Sequence, residues 1–312
     1  MKILAISCGT INGNNDAMVK EALMGAQEQG AEIEFINLNR LNLKPCTGCI
    51  ACVTSLMTGG NGDCVIKDDF KWIDDKILDA DGLLFAVPVF EKAAPGLFNV
   101  LQDRMCGPAH DTGTNTVAKQ LAEKAGKPGP DPRKFKKKAV AYIAIGGSDW
   151  TTKVSSDLNS AAMSGMWKVI DEEVFQWSKG IMMDDAAVAR CREIGVNLAK
   201  ACKDIENAKY VGLPGICSIC NSRNFYFDKR GMVICEVCGM EGAIACDDGK
   251  YTFTFDEALL PLAHTTLSGK IKHMDDIYQN ESKLMDTQKT PEYRARRKKY
   301  ADFIQSSVPP RD

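Results

Sequence analysis

Four cysteines near the carboxyl end, Cys217 and Cys220 then Cys235 and Cys238, are spaced CxxC-x14-CxxC. Each CxxC turns the backbone so that two thiolates converge, and two such turns close a tetrahedral site around one ion. Between the pairs, residues 224–228 and 231–234 flank Lys229 and Arg230 and predict a hairpin with the metal at its open end, which a strand at 251–255 extends. Zinc and rubredoxin-type iron both accept four thiolates in a tetrahedron. The second pair lacks the proline of CPxC and the spacer is short for rubredoxin, which favours zinc. A second, differently spaced set, Cys46, Cys49, Cys52 and Cys64, lies far upstream. Two metal sites in one chain point towards redox chemistry.

The 312 residues carry 39 basic and 41 acidic side chains, so net charge gives no bulk attraction to nucleic acid or to an anionic membrane. Small molecules or proteins are the expected partners. No apolar run approaches the roughly 20 residues that span a bilayer, and the run at 2–6 breaks at Ser7 and Gly9, too short for a signal peptide. The expected location is the cytoplasm. In that reducing compartment 13 cysteines are expected as metal ligands or core thiols rather than as a disulfide framework.

Through residue 210, short apolar runs alternate with amphipathic stretches, the pattern of a parallel sheet wrapped by helices on both faces. Strands are expected at 2–7, 32–38, 82–89, 138–146 and 173–177. Helices are expected at 15–29, 69–79, 94–105, 152–170 and 184–206. Two insertions interrupt the scheme: the cysteine loop at 44–67 and a Gly/Pro-rich charged segment at 107–133, a length usual for lids or disordered loops. Gly and Pro at 212–215 mark a domain boundary. The chain thus divides into an α/β domain at 1–210, a metal ribbon at 213–255 and a polar helical tail at 256–312, whose basic run from Arg294 to Lys299 reads as a solvated helix face.

Residues 7–15 follow the first strand and open the first helix, offering backbone N–H groups and hydroxyls as an anion cradle, or simply an ordinary βα turn. After the third strand come Pro88, Val89, Phe90 and Glu91, and after the fourth Gly146 and Gly147. All three loops fall at the carboxyl ends of central strands, where a doubly wound sheet opens its ligand crevice.

These loops, the helix containing Asp103 and Arg104, and the cysteines followed by Asp68 and Asp69 resemble the flavodoxin-like NADPH-dependent FMN reductase and iron-sulfur flavoprotein family over about two-thirds of the chain. The resemblance implies a five-stranded flavodoxin-like sheet. It implies that Ser7, Thr10, Asn12, Asn14 and Asn15 hold the FMN phosphate, and that Pro88, Val89, Phe90, Glu91, Gly146 and Gly147 line the isoalloxazine ring. It implies a 4Fe-4S cluster on Cys46, Cys49, Cys52 and Cys64; free thiols or a redox-active disulfide are the alternatives. The chain departs from the family at Cys8, where proline is usual, in the absence of an arginine near the phosphate loop, and in a longer gap before Cys64. His110 is a candidate proton donor over the flavin, or else a solvated loop residue. Cys106 and Cys246 are candidate accessory ligands, and Trp150 stacks near the ring or packs.

The function expected is an FMN oxidoreductase in which a cluster exchanges single electrons with flavin, drawing on a ferredoxin-like donor or NAD(P)H and passing electrons to a quinone or activated organic acceptor. The resemblance implies a homodimer or homotetramer. One alternative is an NAD(P)H-dependent FMN or quinone reductase without a cluster. A second is a non-enzymatic redox sensor or carrier that docks partners through the ribbon.

Overall fold

The computed structural model describes residues 1–309; the last three residues of the expected tail, 310–312, lie outside the described residues. Five parallel strands, β1 (Lys2–Ser7), β2 (Glu32–Asn37), β3 (Gly82–Pro88), β4 (Ala139–Ile145) and β5 (Lys168–Phe175), pair in the order β2-β1-β3-β4-β5. This is the flavodoxin order, with its crevice where β1 and β3 lead away in opposite directions. The central strands β3 and β4 are buried almost throughout. Their sequences, GLLFAVP and AVAYIAI, are accordingly apolar without alternation, because helices cover both faces.

The helices are α1 (Asn14–Glu28), α2 (Ala51–Met57), α3 (Phe70–Asp79), α4 (Gly96–Met105), α5 (Thr112–Lys124), α6 (Val154–Ser164) and α7 (Asp185–Lys203). α1 and α7 bury Met18, Val19, Leu23, Ile194 and Leu198 against one sheet face, while α3, α4 and α6 bury Ile73, Phe98 and Leu158 against the other. α1 and α7 approach so closely that a Cβ on Gly195 would collide with the Ala22 carbonyl, and one on Gly25 with that of Arg192. Only glycine lets two helix backbones meet there.

Three expectations are corrected. The helix placed at 152–170 ends at Ser164, because Gly165 and Met166 (φ 50°) break it, and β5 starts at Lys168 instead of 173. β5 is the edge strand and carries Asp171, Glu172 and Glu173, whose charges hide the strand pattern; Arg190 and Asn197 bond Asp171. The segment 107–133 is not a bare loop. Asp111 caps α5 within it, accepting from Thr114 N–H at 2.8 Å, and Lys127 Nζ reaches the Thr58 carbonyl at 2.7 Å, which lays the segment on the cysteine loop.

Beyond residue 212, β6 (Phe225–Phe227), β7 (Val233–Cys235), β8 (Glu241–Asp247) and β9 (Lys250–Thr254) form an antiparallel sheet in chain order. The expected hairpin is β6–β7, whereas β8 has no counterpart in the sequence reading and is the partner of β9. The ribbon docks on the α/β domain through Ser156 Oγ to Glu236 (2.7 Å) and Asn224 Nδ2 to the Thr152 carbonyl (2.7 Å), and the segment before it is held by Val211 N–H to the Ile170 carbonyl (2.8 Å). In the tail, α8 (Leu267–Gln288) is fixed to α5 by buried Lys270, whose Nζ lies 2.6 Å from Asp111, and α9 (Pro291–Phe303) follows with its side chains exposed or half-buried. Among the described residues no helix is long and apolar enough to cross a membrane.

Candidate active site and metal centre

Between β1 and α1 the loop is folded by its own polar groups. Gly13 N–H closes a turn on the Thr10 carbonyl at 2.8 Å, and Asn12 takes the left-handed conformation at φ 59°. Asp16, buried in the first turn of α1, accepts from Asn12 N–H and Asn37 Nδ2, both at 2.7 Å. Asn37 and Asn39 also donate to the Gly9 carbonyl, at 3.0 and 2.8 Å, which pins the loop to the end of β2. Ser7 is buried with its hydroxyl accepting from Gly9 N–H at 3.2 Å, and Thr10 is exposed. No side chain caps the start of α1, and buried Asn15 aims an Nδ2 with no protein partner into this region. Free helix-end N–H groups and an orphaned amide donor fit an anionic phosphate. Asn14 donates from Nδ2 to the Lys179 carbonyl at 2.8 Å.

Beside this loop, Val89, Phe90, Glu91, Gly146, Gly147, Ser148, Trp150 and Lys179 enclose an open cavity of about 420 Å³. Five of the six residues expected at the ring therefore share one wall; Pro88 ends β3 behind it. Phe90 and Ala93 exchange backbone hydrogen bonds at 3.0 and 2.9 Å around Glu91 (φ 44°) and Lys92 (φ 74°). Such a left-handed turn normally takes Gly or Asn, and each ordinary residue there costs about 1–3 kcal/mol. The strain projects Phe90, 63% exposed, over the cavity, while Lys92 Nζ lies 5.4 Å from the Trp150 ring centre. Lys179 was not foreseen. It comes from the segment after the edge strand, has its side chain against Gly147 and its carbonyl on Asn14, and so joins the ring loop to the phosphate loop. Asp16 was also missed, although an acidic residue in a helix first turn is a recognisable signal.

On the opposite side of α4, Arg104 and Asp68 form a buried two-pronged pair at 2.7 and 3.1 Å, and Arg104 also donates to the Lys44 carbonyl at 2.7 Å. Burial alone would raise the Asp68 carboxyl, but Arg104 and the Lys44 and Phe70 N–H groups hold it below its ordinary range. Arg104 thereby closes the base of the cysteine loop. Cys46, Cys52, Cys64 and Cys106 line one cavity of about 220 Å³; Cys49 is exposed and off its wall, with the Ala51 N–H and the Thr47 side chain drawing its thiol below the ordinary range. Three of the four upstream cysteines named from sequence, Cys46, Cys52 and Cys64, thus share one wall. His110 is corrected as well. It is 1% exposed, with Nε2 2.8 Å from Asp74 and its ring edge-on to Trp167 at 5.2 Å, which places it in the core and not over the flavin cavity.

In the ribbon, Cys217, Cys220, Cys235 and Cys238 bring their sulfurs within 4.8 Å of one another, with Cys217–Cys238 at 3.7 Å and Cys220–Cys235 at 3.5 Å. A metal–sulfur bond of about 2.3 Å gives a tetrahedral edge of about 3.8 Å, so one ion fits this set. Three of the four are buried, and shared hydrogen bonds push Cys235 towards the thiolate.

A flavodoxin-order sheet with an anion cradle, an aromatic-rimmed ring cavity and a four-thiol metal group defines a flavin-dependent oxidoreductase. Residues 1–180 match the family model described as NADPH-dependent FMN reductase, and the chain belongs to that family. The matched residues all lie in the α/β domain. A solved structure of a flavone reductase superposes with a TM-score of 0.89 at 46% identity, covering 99% of this chain and 100% of that one. A flavone synthase of Aspergillus candidus is 28% identical over 293 residues, 89% of each chain. An iron-sulfur flavoprotein of Methanocaldococcus jannaschii is 36% identical over 105 residues, 33% of this chain and 51% of its own.

Proposed function

We propose that this protein is an FMN-dependent oxidoreductase that reduces the conjugated C=C bond of flavone-class substrates with NAD(P)H as donor. The observation that carries this reading is the 46% identity to a flavone reductase over the whole chain, ribbon and tail included. The cavity supports it. Phe90 and Trp150 offer aromatic faces to a flat polycyclic substrate, where stacking contributes about 0.5–1.5 kcal/mol per pair beyond burial. Bound FMN supplies hydride-transfer chemistry. The chain's own part is to seat the flavin ring along Val89, Gly146 and Gly147, to leave the substrate the aromatic rim of Phe90 and Trp150, to set the Lys179 ammonium against the negative charge that gathers on the substrate carbonyl oxygen, and to offer the Glu91 carboxyl oxygen as the group that moves a proton.

The exposed aromatic rings of Phe90 and Trp150 at this cavity support its coverage by a second copy in a homodimer or homotetramer. The ribbon's chemistry supports zinc, for which four thiolates and a closed tetrahedron are ordinary. The thiol-lined cavity beside α4 supports an iron-sulfur cluster, served by NAD(P)H through flavin or by a ferredoxin-like donor.

The test is anaerobic turnover of the FMN-loaded protein with NADH or NADPH and a flavone, the product identified by mass. A gain of two hydrogens at a rate above that with a simple quinone is expected, and Lys179→Met should raise KM for the flavone or weaken FMN retention. Quinone turnover with no flavone consumption would replace this reading with the plain quinone reductase.

A further inference from the structure

We infer that the four-cysteine ribbon buttresses the flavin cavity, and that Asn224 is a positioning residue for the substrate because it holds the loop that carries Trp150. Trp150 stands at the cavity wall, 59% exposed, between Gly147 and α6. Residues 146–153 belong to no helix or strand, so the ring is placed by the ties on its neighbours. Thr151 Oγ1 accepts from Gln176 Nε2 at 2.8 Å, and Lys153 N–H donates to the Lys92 carbonyl at 3.0 Å. Those two ties come from the α/β domain. A third comes from the ribbon, where Asn224 Nδ2 donates to the Thr152 carbonyl at 2.7 Å.

Both cysteine pairs fix Asn224 in turn. Its N–H donates to Ser222 Oγ at 3.0 Å, and the Ser222 carbonyl accepts from Cys217 N–H at 3.1 Å. Its carbonyl accepts from Glu236 N–H at 3.1 Å, and Glu236 lies between Cys235 and Cys238. The Glu236 carboxylate then accepts from Ser156 Oγ, in the first turn of α6, at 2.7 Å. The two pairs thus reach the amino end of α6 and the loop before it through two short bonds. Cavities of about 460 and 290 Å³, each lined from both α6 and the ribbon, lie between the two bodies. A close-packed joint would hold the loop by shape. Here the bonds act as struts across open space, and losing one frees the loop that carries Trp150.

The inference rests on the flavone reading for its substrate and assumes nothing about which metal the ribbon holds. KM and kcat for a flavone are measured on the full-length, FMN-loaded wild type, Asn224→Asp, Trp150→Ala and the double variant. Asn224→Asp keeps the side chain's shape but replaces the donor amide with a carboxylate that cannot donate. Retained FMN reports that each variant is folded. Asn224→Asp should raise KM about three- to tenfold with kcat nearly unchanged. In the Trp150→Ala background it should add nothing, because both changes act on the same ring. An unaltered KM, or a rise of equal size in both backgrounds, overturns the inference and leaves the ribbon a separate body. Should wild type consume a quinone and no flavone, the flavone reading alone fails, and the same comparison of KM in the two backgrounds, made with the quinone, decides for or against the strut.

Discussion

Lys138, 1% exposed at the amino end of β4, donates from Nζ to the Leu78 and Ala80 carbonyls at 2.8 and 2.6 Å and so closes the end of α3. Burial pushes its ammonium down to about 7 from the ordinary 10.5, against the pull of those carbonyls. Between those values the unfolded chain binds a proton that the folded chain lacks, so stability contributed through this group rises with pH, by up to about 1.4 kcal/mol per unit. Relative to Lys138→Met, wild type should therefore gain stability between pH 7 and 9.5 in urea titrations. A gap that stays constant or moves the other way would show that the two carbonyls keep the amine charged. At this scale the sequence is legible where chemistry is local. Phe90, Glu91, Gly146 and Gly147 sit beside their strand ends and were readable, whereas Lys179 and the Asp74 partner of His110 reach their sites only through the strand order and leave no local trace.

Helix α1 carries the phosphate loop at its start, and α7 presses on it through Gly25 and Gly195. Gly195→Ala forces the helices apart, an overpacking that costs about 1–3 kcal/mol or more, and the shift is passed along α1 to Asn14 and Asn15. The expected result is a lower thermal midpoint together with weaker FMN retention, read by flavin fluorescence after gel filtration. Lost stability with unchanged FMN affinity would mean that the loop is held by Asn37 and Asn39 alone. Elements with a clean pattern were legible: β1, β3, β4 and α1 lie within about two residues of expectation. β5 was cut short because its acidic residues look like a surface helix until Arg190, Asn197 and Ser155 are seen to pair them. β8 escaped because most of its residues are exposed, so no buried face imposed an alternation.

Across the whole molecule, the ribbon buries only a small cluster around Cys217, Val233, Cys235, Val237 and Met240. Metal binding of this kind supplies about 10–16 kcal/mol, far more than so small a core. A strong chelator, or Cys235→Ser, should therefore open residues 213–262 to protease while the α/β domain keeps its FMN. Protection that persists after the metal is removed would assign the ribbon's stability to its docking on Thr152 and Ser156 instead.

The hydrogen bond from Asn14 to Lys179 spans 165 positions of sequence. During synthesis the phosphate loop leaves the ribosome well before the carbonyl that steadies it and the helix pressed against it, both of which come from the stretch after β5. A nascent chain that has not yet passed α7 lacks these supports of the phosphate loop. Loading with flavin is accordingly a late event in the life of each molecule, and a truncated product released early is left colourless.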